Sequence, residues 1–176
     1  MNTAEDKILD TSVMDTRQLL RRLDEKVCLL PVHWRWDKTE KPIVLHKILR
    51  DLTGRRATFM ADYQSQKSIV KLFYGQQGLR HARREITGLE LLSRCDVASS
   101  HVLHCAVLKE GVLLVLSYLH DTESLSVYWH TASQAEKREC LEQLLTQLQK
   151  MYIQGVYQDD LHLENILWDG KKVYVI

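Results

Sequence analysis

Three strand patterns follow one another between residues 43 and 74, and this succession most constrains the fold. β-Branched and aromatic residues, which favour strands, are concentrated in residues 43–45, 57–61 and 68–74. The first two segments are joined by Leu52-Thr53-Gly54-Arg55-Arg56, a polar connection with one glycine. Such closely spaced strand patterns predict a β-sheet.

The rest of the chain alternates between helix and strand patterns. Apolar residues recur at helical spacing in residues 79–94 (Ala82, Ile86, Leu89 and Leu92), and residues 1 to about 26 also show a helical pattern. Two further strands are expected at residues 102–108 and 112–116, followed by a polar linker over residues 121–131. These elements predict the α+β class.

A long helix is predicted after this linker. Ser133 is its expected N-cap, with Glu136 as the capping-box partner, and Gly155 is its expected C-terminal stop. Its predicted buried face consists of Leu141, Leu144, Leu145, Leu148 and Met151. The chain then closes with a predicted hairpin, residues 166–168 and 173–176, around the turn pair Asp169-Gly170.

Composition narrows the class of protein. A chain of 176 residues with 45% hydrophobic and 27% charged residues is expected to be globular rather than disordered. The net charge of +1 gives no reason to expect a nucleic-acid partner. The four cysteines lack CxxC spacing, the N-terminus is polar, and no apolar run approaches the ~20 residues that span a bilayer. We therefore expect a cytoplasmic protein with reduced thiols.

The loop before the hairpin carries the clearest chemical signal. Asp160 and Asn165 lie five positions apart, after the long helix and before a short apolar strand. A carboxylate can accept the proton of an attacking hydroxyl, and an amide oxygen can help to hold Mg²⁺ near phosphates. Two alternatives remain open: Asp and Asn side chains often cap polar loops, and Asp159, Asp160, His162 and Glu164 could form a metal site.

Several features together resemble the protein-kinase-like fold over roughly residues 43–176. They are the order of the elements, the Asp160–Asn165 loop, Lys71 in Ile69-Val70-Lys71, and Glu85 in Arg83-Arg84-Glu85-Ile86. The resemblance implies a small antiparallel-sheet lobe with one helix, followed by the first part of a helical large lobe. It places an N-terminal extension at residues 1–42, the small lobe at 43–118 and the partial large lobe at 119–176.

The resemblance also implies ATP and Mg²⁺ as cofactors and assigns roles to single residues. Lys71 would neutralise phosphate charge, Glu85 would orient this lysine, Asp160 would be the base-like carboxylate and Asn165 a metal ligand. Gly54 would lie at the phosphates, and Tyr118 and Leu119 would lie at the hinge that holds adenine. The ordinary alternatives are a solvent-facing strand lysine at Lys71, a solvated glutamate at Glu85, and core residues at Tyr118 and Leu119.

Among kinase-like families, the Arg-Arg-Glu helix and the D-L-H-x-x-N loop look most like bacterial lipopolysaccharide core sugar kinases. This likeness implies a lipid-linked sugar hydroxyl as acceptor and peripheral contact with the inner membrane. A serine/threonine protein kinase, an aminoglycoside- or choline-type kinase, and a non-catalytic nucleotide-binding pseudokinase remain open, as does a generic α+β domain with no kinase relationship. The family's metal-binding aspartate is expected directly after Ile176, so these 176 residues alone are expected to be inactive.

Overall fold

The computed structural model describes residues 13–26, 28, 30–38 and 40–176, and these residues form an α+β fold. Its main sheet has six strands in the order β1-β2-β3-β4-β6-β5. Within the described ranges there are four α-helices. The predicted α+β class and antiparallel sheet are therefore confirmed.

Four strands of the main sheet, β2, β3, β4 and β6, are longer than predicted, whereas β5 ends one residue earlier. They are β1 Val32–Trp34, β2 Ile43–Leu52, β3 Arg56–Tyr63, β4 Gln66–Tyr74, β5 Val102–Val107 and β6 Gly111–Ser117. β3 pairs antiparallel with both β2 and β4, as the resemblance implied. β1 was not predicted; it has three residues and pairs antiparallel with β2.

The chain divides into two compact units. The first comprises the described residues up to Leu79 together with His104–Val115. Its core includes the fully buried Trp34, Phe59, Leu72 and Leu113. Helix α1, Thr16–Asp24, adds Leu19 and Leu23 to this core and begins with a capping box at Asp15. The first 12 residues of the predicted N-terminal helix, residues 1–12, lie outside the described residues.

The second unit comprises Arg80–Leu103 and Leu116–Ile176. It contains most of α2, Gly78–Arg94, which confirms the helix predicted at 79–94, and two further helices, α3 Leu125–Thr131 and α4 Gln134–Ile153. A small sheet joins β7 Glu123–Ser124 to the predicted hairpin strands β8 Ile166–Trp168 and β9 Val173–Val175. The boundaries predicted at residues 42 and 118 stay predictions.

The linker predicted at residues 121–131 is wrong, because this segment forms β7 and α3. Leu125 is fully buried, and the ring of Tyr128 lies 6.2 Å from that of Trp168. Packing of these two side chains against Trp168 and its neighbours therefore gives structure to a segment whose composition is mostly polar.

Helix α4 confirms both predicted ends but not the whole predicted face. Ser133 and Glu136 form the capping box, and Gly155 adopts φ +67° just after the helix. Among the predicted face residues Met151 is buried, whereas Leu141 and Leu145 are 42% and 62% exposed. The other fully covered positions of the helix are Cys140 and Gln147. Gln147 accepts a hydrogen bond from the backbone N–H of Ala98 at 3.2 Å, which explains how its polar side chain is buried.

Candidate functional site

The loop between α4 and β8 brings Asp160 and Asn165 together, as their spacing predicted. The chain forms a one-turn 3₁₀ helix at Leu163–Asn165 before entering β8. Asn165 Nδ2 donates to the backbone oxygen of Asp160 at 2.9 Å and lies 3.2 Å from its carboxylate Oδ2. The backbone N–H of Asn165 donates to His162 O at 2.9 Å. The five-residue spacing therefore closes a hydrogen-bonded loop.

These contacts fix the orientation of the Asn165 amide. Its two nearest partners on Asp160 are both acceptors, so the amide nitrogen must face them and a flipped amide would place oxygen against oxygen. Among the described residues, the side-chain hydrogen bonds of Asn165 use Nδ2, and its oxygen Oδ1 takes part in none of them. Oδ1 is the atom of this side chain that can serve as a cation ligand.

His162, which was considered from the sequence only as a ligand of the alternative metal site, is a third member of this group. Its Nε2 lies 3.2 Å from Asn165 Nδ2 and 3.3 Å from Asp160 Oδ1. Without a hydrogen, Nε2 can accept from the amide; with one, it donates to the carboxylate instead. The tautomer of the His162 ring therefore decides which of its two neighbours it holds.

Three contacts tie the loop to its surroundings within the second unit. The backbone oxygen of Asn165 accepts from Ile176 N at 3.0 Å, and Gln158 Nε2 donates to Ile176 O at 3.2 Å. Arg84 on α2 lies 3.9 Å from the Asp159 carboxylate, and both side chains are largely exposed. The Asp160 side chain is 78% exposed, so its carboxylate is accessible to solvent.

The alternative metal site is not supported by this geometry. No group of three or more His, Cys, Asp or Glu side chains within the described ranges is arranged to hold a metal ion. Asp159, Asp160, His162 and Glu164 therefore do not converge into a metal site of their own. A cation near Asn165 would need further oxygen ligands from another molecule, such as phosphate groups or water.

Lys71 and Gly54 belong to the first unit. Lys71 is half-buried on β4, where it lies opposite Thr58 of β3. Gly54 lies in the turn between β2 and β3 with φ +72°, and Gly75 approaches its carbonyl so closely that a Cβ at position 75 would overlap it. Tyr74 N also donates to Arg55 O at 2.9 Å. The turn is thus fastened to the end of β4.

Glu85, Tyr118 and Leu119 belong to the second unit, and all three are half-buried. Glu85 lies on α2. The ring of Tyr118 meets that of His120 edge-on at 5.0 Å, and Leu119 O accepts from Thr122 Oγ1 at 3.0 Å. This segment is therefore held by contacts between its own residues. The roles expected for these residues, and for Lys71 and Gly54, stay predictions.

Sequence reasoning missed His162 and Gly75 as supports of the candidate site. His162 is visible in the sequence between Asp160 and Asn165, but its two contacts depend on the loop closing. Gly75 directly follows the strand that carries Lys71, and a glycine at a strand end was the available signal.

Comparison with protein-family models gave no match, and comparison with curated proteins gave none either.

Proposed function

We propose that the protein is an ATP-dependent phosphotransferase of the protein-kinase-like type that transfers the γ-phosphate to a hydroxyl. The observation that carries this proposal is the hydrogen-bonded pair formed by Asp160 and Asn165, in which an exposed carboxylate lies beside an amide with an uncommitted oxygen. The α+β architecture, with a lysine on a half-buried strand position, supports it.

In this proposal each chemical task falls to one side chain. Asp160 accepts the proton of the attacking hydroxyl and orients it, and Asn165 supplies an oxygen ligand to Mg²⁺. Lys71 neutralises phosphate charge, Glu85 orients Lys71, and the turn at Gly54 offers backbone N–H groups to the phosphates. Tyr118 and Leu119 contribute the hinge that receives adenine. Mg²⁺, when bound, offsets the charge that develops on the phosphates.

The acceptor we favour is a hydroxyl of a lipid-linked sugar of the lipopolysaccharide core. The D-L-H-x-x-N loop supports this choice through its resemblance to those sugar kinases. Such a substrate would place the reaction in the cytoplasm, with peripheral contact at the inner membrane. A small-molecule or protein hydroxyl is the alternative acceptor, and no nucleic-acid partner is proposed. Within the described part of the chain, no helix is long and apolar enough to cross a membrane.

A paired substitution tests the proposed base. In a form of the protein that carries the expected metal-binding aspartate after Ile176, Asp160→Asn is expected to lower the rate of phosphate transfer by about 10²-fold or more, while leaving ATP affinity almost unchanged. Asp159→Asn is the matched control, because the neighbouring carboxylate is 92% exposed and its nearest cation is Arg84, 3.9 Å away. ADP release measured with a panel of sugar, small-molecule and peptide hydroxyls would report both variants. Equal losses in the two variants would remove Asp160 from the reaction.

A second pair tests the proposed nucleotide site. Lys71→Met is expected to weaken Mg²⁺-ATP binding about tenfold or more, because a phosphate loses its cation. Lys67→Met is the control on the same strand, four residues earlier and exposed. Isothermal titration with Mg²⁺-ATP gives the affinities. Absence of ATP binding to the wild-type protein would overturn the proposed function.

A non-catalytic nucleotide-binding module is the second candidate. The contacts of the Asn165 amide nitrogen favour it, because they also suit a side chain that only caps its loop. Asn165→Ala distinguishes the two functions. A catalytic metal ligand predicts a higher Mg²⁺ requirement for turnover, whereas a loop cap predicts lower stability and no change in the dependence on Mg²⁺.

A further inference from the structure

The two edges of the main sheet differ in how they end. At the β1 edge the backbone of Met14 continues the pairing: Met14 N donates to His33 O at 2.8 Å, and Arg35 N donates to Met14 O at 2.9 Å. At the opposite edge, β5 is the last strand, and none of the described segments pairs with its outer side. Every second residue of such a strand directs its N–H and C=O groups outward, where another strand can accept them.

The sequence of β5 lacks the usual protection of an exposed edge. Natural edge strands are commonly blunted by charged residues, by proline or by a short length. β5 has six residues, Val-Leu-His-Cys-Ala-Val, with no Lys, Arg, Asp, Glu or Pro among them. Leu103 is 41% exposed and Val107 is 77% exposed, and the Cys105 thiol is also exposed. An uncharged apolar strand with open backbone groups favours pairing with another strand.

We infer that β5 pairs antiparallel with β5 of a second copy of this chain, which joins two main sheets across a two-fold axis. A second copy fits because it presents the same uncharged edge, so no ammonium or carboxylate has to be desolvated on either side. A charged peptide, by contrast, would find no charged partner on this strand. This inference does not depend on the proposed phosphotransferase activity.

Symmetry restricts the register of such a pair. In an antiparallel pair related by a two-fold axis, the residue on the axis faces its own copy, and residues at equal distances on either side face each other. Pairing centred on Cys105 sets Leu103 opposite Val107 of the second copy, so the exposed apolar side chains cover one another. The same register brings the two Cys105 thiols together at the axis. Directly opposed side chains on paired strands are close enough for their thiols to be oxidised to a disulfide.

Cross-linking tests this register directly. Copper–phenanthroline in air oxidises two neighbouring thiols to a disulfide, with the electrons passing to oxygen through copper. Burial raises the pKa of the Cys105 thiol, so the reaction should be run at alkaline pH to supply thiolate. A covalent dimer is expected from the wild-type protein and from a variant that retains Cys105 as its only cysteine. Cys105→Ser should abolish the dimer, whereas Cys28→Ser, at a half-buried thiol, should not.

Edge charge tests the pairing without chemistry at the thiol. Val107→Lys places an ammonium in the proposed contact and is expected to weaken dimerisation about tenfold or more in sedimentation velocity. Val127→Lys on α3, at a valine that is 52% exposed, is the control and should leave the dimer intact. Circular dichroism would check that both variants keep the fold. A wild-type protein that is monomeric at every concentration would overturn the inference, and so would a dimer that persists in Val107→Lys. If a dimer that persists in Val107→Lys is lost in Leu145→Lys, the contact belongs to α4.

Discussion

Gly75→Ala should destabilise the first unit more than an alanine substitution at any other glycine of that unit. Gly75 combines two demands: its φ is +75°, and a Cβ there would overlap the carbonyl oxygen of Gly54. The left-handed conformation costs a non-glycine residue roughly 1–2 kcal/mol. Overpacking against backbone, which cannot rotate away as a side chain can, adds about 1–3 kcal/mol. We therefore expect Gly75→Ala to lower the free energy of unfolding by roughly 2–5 kcal/mol.

Two other glycines of the same unit separate these costs. Gly54 has φ +72° but open space around its missing Cβ, so Gly54→Ala should show only the conformational cost, about 1–2 kcal/mol. A Cβ on Gly111 would overlap the carbonyl oxygen of Phe73, so Gly111→Ala should show mainly the steric cost, about 1–3 kcal/mol. The sum of these two losses is the expected loss for Gly75→Ala.

Urea denaturation followed by hydrogen exchange of the amides in β2, β3 and β4 would measure the three variants. Hydrogen exchange at these amides shows whether each loss of stability occurs in the first unit. This control is needed because a chain with two compact units need not unfold in one step. A loss for Gly75→Ala no greater than that for Gly54→Ala would refute the close approach of Gly75 to the β2–β3 turn. In that case the turn proposed to meet phosphates would be fastened to β4 only by the hydrogen bond from Tyr74 N to Arg55 O.

Three further outcomes are expected in the second unit. Ser133→Ala removes the N-cap of α4 and should lower the free energy of unfolding by about 1 kcal/mol. Hydrogen bonds with Ser133 lower the pKa of Glu136, so this pKa should rise in an NMR titration of the variant. An unchanged pKa of Glu136 would contradict the capping box. Burial raises the pKa of Asp169, but hydrogen bonds from Lys172 N, Lys171 N and Tyr174 Oη hold this pKa below its usual value. The ionised carboxylate therefore stabilises the fold at pH values above the usual carboxyl range, and this stabilisation is lost as the pH falls through the pKa of the folded state. Asp169→Asn should therefore flatten the acid limb of stability in urea titrations, and an unaltered limb would exclude this role. Lys150→Met breaks the 2.7 Å contact with Asp96 and should raise the lowered pKa of that carboxyl in carbon-detected NMR, whereas Lys137→Met should not.

Local signals predicted the long elements and the helix ends. β3 and β4 carry dense β-branched and aromatic runs, and the Ser133 cap and Gly155 stop depend on residues within one turn of the helix. Asp160 and Asn165 could be paired from sequence for the same reason, because a five-residue separation closes a loop without help from distant segments. Information that lies within a few residues is thus readable in the sequence.

Elements that depend on distant packing could not be predicted in this way. β1 has only three residues and exists through its pairing with β2, and α3 is a short helix anchored by Leu125 and Tyr128. Lys71 and Glu85 are 14 positions apart on different elements, so spacing alone gives no measure of their proximity. Single residues were therefore assigned chemical roles through a resemblance, whereas only the Asp160 loop followed from its own spacing.

The burial of α4 shows why helical spacing marks an apolar arc rather than a core face. At about 100° per residue, Cys140, Gln147 and Met151 fall in one sector of the helix, and Leu141, Leu145 and Tyr152 fall in the next. Leu144 and Leu148, between the two sectors, are half-buried and pack against separate core clusters of the second unit. The arc is wider than the cover that this unit supplies, so one sector is buried and the other meets solvent. Periodicity gives the direction of the arc, but the neighbouring segments decide which part of it becomes core.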